Sequence, residues 1–137
     1  MKTDEEIKKS ITVTFEPPNT VVEVFKESET ERQDNARQAQ FLFDEVKRVI
    51  GENNLGACNY LIDMRLIGSI HYMSPEALEI YSKKLPAETK MNKAAIVGHS
   101  LILETTVNLV MQAVGRSQSF KWFNDFEEAK KWLTTTQ

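Results

Sequence analysis

Apolar and polar positions alternate with two different periods along this chain, and the changes of period mark its elements. Ile11, Val13 and Phe15 alternate with Thr12 and Thr14, the period of a strand with one buried face. Glu16-Pro17-Pro18-Asn19 interrupts the run, and Val21, Val22, Val24 and Phe25 resume it, so the two segments predict an antiparallel pair joined by a proline-containing turn. The period then lengthens. Ser28 with Glu31, or Thr30 with Gln33, has the spacing of a capping box, after which Ala36, Ala39, Leu42, Phe43, Val46, Val49 and Ile50 fall three or four apart up to Gly51. This predicts an amphipathic helix that leaves Arg32, Arg37, Lys47 and Arg48 to water. Cys58 to Met64 reads as a strand centred on Tyr60, Leu61 and Ile62, with Asp63 near its end, and Arg65 to Met73 as loop. Ser74-Pro75-Glu76 opens the next helix: serine caps it, proline takes the first helical position and an acid lies where the macrodipole favours it. Ala77, Leu78, Tyr81 and Leu85 form its buried side, and Pro86 is its expected stop.

Ala94-Ala95-Ile96-Val97 is apolar without alternation, which suits a strand covered on both faces. Gly98 is read as a sharp turn and Ser100 as the N-cap of a helix whose Leu103, Val107, Val110, Met111 and Val114 recur at helical spacing before Gly115. Ser119 to Phe123 reads as a short strand. Asn124 or Asp125, with Glu127 or Glu128 three residues on, caps a last helix that turns Phe126, Ala129, Trp132 and Leu133 inward. Strands alternating with helices predict an α/β fold: a mixed five-stranded sheet, mostly parallel with an antiparallel N-terminal strand pair, about four helices, order ββαβαβαβα. Residues 1–9 and 134–137 are expected to fray.

Composition adds limits. At 137 residues and 41% hydrophobic, the chain is expected to be one domain over 1–137. A net charge of −3 with acids and bases interspersed lacks the basic footprint of a nucleic-acid binder. The single cysteine, Cys58, cannot build a disulfide framework, and the acidic N-terminal sequence does not resemble an export signal, so a cytoplasmic protein is expected. His99, Ser100, Glu104 and Asn108 interrupt the long apolar window from Ala94 to Val114, which is therefore read as core and not as a membrane span.

Open sheets of this class bind ligands beyond the carboxyl ends of their parallel strands, at a switch in strand order. Asp63, Arg65, His99 and Ser100 are expected at those ends, with Ser69, His71 and Ser74 on the adjoining loop; together they are the candidate binding site, against the plainer reading of capping and solvation. Gly98-His99-Ser100 has part of a nucleophile elbow. Ile102 replaces the second glycine of that motif and no histidine follows His99, so Ser100 is read as a helix cap and no enzyme is expected. His71, His99, Cys58 and Asp63 lack metal-ligand spacing, and no metal or other cofactor is expected. Phe41, Phe43, Phe120, Trp122, Phe123, Phe126 and Trp132 are read as core, with a lipid pocket as the competing reading.

Three pieces carry a family resemblance: Leu61-Ile62-Asp63 ending one strand, Ala94-Ala95-Ile96-Val97-Gly98 forming another, and the closing Phe123-Asn124-Asp125-Phe126-Glu127-Glu128-Ala129-Lys130-Lys131-Trp132-Leu133. With the N-terminal strand pair, they resemble the SpoIIAA-like proteins of the STAS superfamily, which are related in fold to the CRAL-TRIO lipid-binding domains. The resemblance implies a regulatory domain like the anti-sigma-factor antagonists, binding a protein partner such as a regulatory kinase or anti-sigma factor. Such domains are switched by phosphorylation of a serine at a helix start. Here His71, Tyr72 and Met73 stand where that family has its acid and serine, so Ser74 is the nearest phosphoacceptor. The CRAL-TRIO relationship implies the alternative, a carrier or sensor of a small apolar or lipid ligand held between sheet and helices.

Overall fold

The computed structural model describes residues 1–68, 72–113, 115 and 118–135. Its elements in chain order are α1 (Asp4–Lys9), β1 (Ile11–Glu16), β2 (Thr20–Phe25), α2 (Arg32–Glu52), β3 (Cys58–Asp63) and α3 (Pro75–Glu79). A π-helical turn (Ile80–Lys84) follows, then α4 (Leu85–Glu88), β4 (Met91–Val97), α5 (Leu101–Ala113), β5 (Phe120–Phe123) and α6 (Phe126–Thr134). The strands form one mixed sheet in the order β1-β2-β3-β4-β5, with β1 and β2 antiparallel and the rest parallel, as the alternation predicts. Ala94 to Val97 lies between parallel neighbours, pairing with Tyr60 to Asp63 on one side and Phe120 to Phe123 on the other.

Because every strand sits beside its predecessor, each crossover runs in the same direction, and the right-handed rule puts the three intervening helical segments on one face. The packing agrees. Leu42, Phe43 and Val46 of α2, Ala77 of α3, Leu85 of α4 and Leu103 of α5 share a core with Val21, Tyr60, Ala94 and Ile96. Residues one position along each strand point the other way: Leu61, Ala95, Val97 and Phe123 pack against Ala129 and Leu133 of α6. A monotonic strand order contains no reversal, so the crevice expected at a switch point has no counterpart here.

Several boundaries differ from the sequence reading for local reasons. The cap of α2 is Glu31, whose carboxylate accepts from the amides of Gln33 and Asp34 at 3.0 and 2.9 Å. Gly51 stays inside that helix, and Asn54, at φ 52°, takes the left-handed turn. Pro86 does not stop its helix: the wide π turn precedes it, and proline falls in the first turn of α4, where an amide hydrogen is dispensable.

The N-terminal segment, expected to fray over residues 1–9, carries α1. Thr3 and Glu6 close a capping box, and Asp34 of α2 accepts the Lys2 amide at 3.0 Å. Arg37 bonds the Lys2 carbonyl at 2.7 Å and pairs with Asp4, while the Lys2 ammonium reaches Glu27 and Glu29, both at 2.9 Å.

Candidate functional site

The strand ends hold less free chemistry than their composition suggests. Asp63 at the end of β3 accepts from the Arg65 amide at 3.0 Å and from its guanidinium at 2.9 and 2.7 Å, a self-contained clamp. Burial lifts the Asp63 carboxyl, but the Arg65 bonds, with a smaller contribution from the charge of His99, outweigh that and leave it below the usual carboxylate range. The Arg65 guanidinium in turn lies 4.5 Å from the Phe126 ring centre, so this pair serves the α6 face. His99 is exposed on the turn before α5, and the Ser100 hydroxyl accepts from the Leu103 amide at 3.2 Å as the cap of α5. Ser69 and His71 lie outside the described residues.

Gly98 stands here for space. A Cβ at this position would meet two Trp122 ring atoms at 2.6 Å, so the indole of β5 occupies the volume that a side chain would need.

Ser74 is fully buried. Its hydroxyl accepts from the Ala77 amide at 3.0 Å, and its own amide donates to the Asn35 side chain at 2.8 Å. Asn35, on the buried stripe of α2, also donates to the Glu29 carbonyl at 3.1 Å, clasping the chain before α2 to the entry of α3. Asp63 and Arg65 therefore belong to the α6 face of the sheet, whereas Ser74 belongs to the opposite, helical layer.

On that helical side the structure has a feature the candidate residues do not include. A cavity of about 130 Å³ lies between the sheet and α2, the α3–α4 segment and α5. Apolar groups such as Ile62, Ile96, Val107, Met111 and Phe120 dominate its lining. Glu23 of β2 also lines it, at 1% exposure, and its Oε2 is the buried side-chain polar atom without a hydrogen-bond partner among the described residues. Burial alone pushes this carboxyl up to about 8, so it is mainly protonated at neutral pH. Several of the other polar groups around it are engaged, although no hydrogen bond of the Tyr81 hydroxyl, which also lines the space, is formed among the described residues. The Tyr60 hydroxyl donates to Thr89, whose hydroxyl donates to the Leu85 carbonyl, and Gln38 donates to Ser10 and the Glu27 carbonyl at 2.9 and 3.0 Å. Burial raises both Tyr60 and Tyr81, keeping them neutral beside Glu23.

A wider depression of about 550 Å³ lies at the amino ends of the parallel strands, but its polar groups bond one another. Asn59 donates to the Leu133 carbonyl at 3.0 Å, Lys130 pairs with Glu16 at 3.0 Å, and Lys93 donates to the Thr135 carbonyl at 2.8 Å. It is a seam joining α6 to the sheet. Among the described residues, His, Cys, Asp and Glu nowhere gather in a group of three able to hold a metal, and no helix is long and apolar enough to cross a membrane.

A mixed sheet with helices on both faces, an antiparallel N-terminal edge and a terminal Phe-Glu-Glu-Ala-Lys-Lys-Trp-Leu helix defines a STAS-type α/β domain. The chain belongs to the SpoIIAA-like family, whose model matches residues 21–134. No curated protein and no solved structure matches it.

Proposed function

We propose that this SpoIIAA-like domain is a non-enzymatic, cytoplasmic binding domain whose ligand is a small, mainly apolar molecule held between sheet and helices. The observation that supports it is the apolar pocket itself, because a concave, mainly apolar recess with a few polar groups in its wall is the usual form of a small-molecule site. An engineered apolar cavity of about 150 Å³ takes up benzene, so a space of this size suits a compact molecule better than a whole lipid. Toluene is the direct probe. Titrated into isotopically labelled protein, it is expected to move the resonances of Ile62, Ile96 and Met111 and to leave those of Ala129 and Leu133 on the α6 face in place. Interior resonances that do not respond at saturating toluene would defeat the proposal.

The second reading is the regulatory one implied by the family: action through a protein partner such as a kinase or anti-sigma factor. It is favoured by α5, which turns Leu101, Ile102 and Leu109 outward at 75, 70 and 61% exposure beside the exposed His99. The contact surface would then be the His99-Ser100 turn and the first turns of α5, and the Asp63-Arg65 clamp would brace it from the α6 side. Here Ile102→Glu is expected to abolish binding to the cognate purified partner while leaving the toluene titration unchanged.

A further inference from the structure

The cavity selects by more than size, because a buried carboxyl in its wall is left unengaged. Glu23 belongs to the same face of β2 as Val21 and Phe25, pairs in register with Ile62 of β3, and is covered by the helical layer. A carboxyl enclosed in this way with an unpartnered oxygen is destabilising unless something supplies the missing bond. Nearby donors do not supply it: Tyr60, Gln38 and Asn35 direct theirs to Thr89, Ser10 and Glu29, and the Tyr81 hydroxyl, which lines the same space, makes no bond to that oxygen. The Lys2 ammonium is committed to Glu27 and Glu29, so no cation of the described residues reaches Glu23.

Resting on the ligand-binding reading above, we propose that the natural ligand is a compact apolar molecule carrying one neutral hydrogen-bonding group, a hydroxyl or carbonyl, which docks on the Glu23 carboxyl inside the cavity. A protonated carboxyl presents one O–H donor and one carbonyl acceptor, a pair that matches a hydroxyl or carbonyl. Its elevated titration point keeps it in that form at neutral pH. A cationic ligand would have to bury a charge in an apolar space with only an ionised Glu23 to meet it, and the cost of desolvating both opposes this. The site thus discriminates among molecules of equal size by the presence and charge of a single polar group.

Toluene, benzyl alcohol and benzylamine share a ring and differ in that group, so they separate the possibilities by calorimetric or NMR titration at pH 6.5. Wild-type protein is expected to bind benzyl alcohol about tenfold more tightly than toluene, the difference one good buried hydrogen bond makes, and benzylamine more weakly than either. Glu23→Gln, which keeps a donor and an acceptor, is expected to retain the preference for the alcohol, and Glu23→Leu to reverse it in favour of toluene. Equal affinities for toluene and benzyl alcohol, a preference that survives Glu23→Leu, or tightest binding of benzylamine would each overturn the assignment to Glu23 while leaving an occupied cavity standing. Absence of interior response to all three probes would remove the cavity reading and this one together.

Discussion

Glu23 concentrates the physical tension of this domain in one side chain. In the unfolded chain its carboxyl ionises near 4.5, and in the folded protein only near 8. Between those values the native state holds a proton that the unfolded state has released. Stability therefore falls as pH rises through this window, with the penalty absent below about 4.5 and complete above about 8. At pH 7 the cost is roughly 3 kcal/mol, a large share of a small domain's stability. The ionisable groups facing Glu23, namely Cys58 and Tyr60 on β3 and Tyr81 above it, are all raised by burial and stay neutral throughout the window. Urea unfolding at pH 5, 7 and 8.5 should show wild type losing stability across the series, and Glu23→Gln should lose less and gain roughly 1–3 kcal/mol at pH 7. Parallel curves for the two proteins would refute this account. The residue was visible in the sequence: Val21, Glu23 and Phe25 share one strand face, so an acid occupies a core position in a strand whose neighbours are all apolar. The four apolar residues Val21, Val22, Val24 and Phe25 define the strand without it, so its place on the buried face passes unnoticed. Gly98 was visible too, but as a turn, since nothing local announces that Trp122 will arrive from another strand. Gly98→Ala should cost about 1–3 kcal/mol through displacement of that indole, read by denaturant titration and by a shift in tryptophan emission.

Elements follow the sequence where their signals are local and depart from it where the stabilising partner is remote. The start of α3 is written in Ser74-Pro75-Glu76, and the cap forms as read. What the local signals could not convey is that Asn35, from the first turn of α2, accepts the Ser74 amide and holds the entry from outside. Asn35→Ala should leave that buried amide unpaired at a cost of about 1–3 kcal/mol, seen in denaturant unfolding together with faster hydrogen exchange over 74–79. Loss of stability without faster exchange there would place the effect elsewhere. The same enclosure bears on Ser74 as a phosphoacceptor. A charge at a fully buried position must break open the start of α3, so Ser74→Glu should unlatch that segment, with exchange protection lost over 74–79 and retained in β3 and β4. At α1, six residues are too few to hold a helix alone; the helix persists because Asp34 and Arg37 of α2 grip Lys2 and Asp4, bonds between distant positions that no periodicity encodes.

At the scale of the molecule, the two faces of the sheet do different work. Parallel alternation was legible in the order of strands and helices, and the double burial of Ala94 to Val97 in their unbroken apolar run. The monotonic strand order was not, because it depends on which edge each crossover chooses, and from it follows the placement of three helical segments on one face. One short helix, α6, closes the other face with Ala129 and Leu133 against small and branched strand residues. The crowded face must fit α2, the α3–α4 segment and α5 over a twisted surface, and the cavity is the volume they leave between them. That is why strand-end residues could be named from sequence, whereas a pocket between sheet and helices came only from the family resemblance and its lining not at all: it belongs to no single element. If the pocket is functional, filling it from within the chain should stabilise the fold and abolish binding at once, since a larger side chain there adds dispersion contacts and takes the ligand's space. Val107 of α5 is partly buried and lines the space, so a larger side chain there extends inward. Val107→Phe should raise the melting temperature of the ligand-free protein by a few degrees, roughly the equivalent of 1 kcal/mol in a domain of this size, and remove the stabilisation that saturating toluene gives wild type. A variant that melts lower yet still responds to toluene would mean that α5 moves aside to accept the ring, and that the cavity is a packing defect without selectivity.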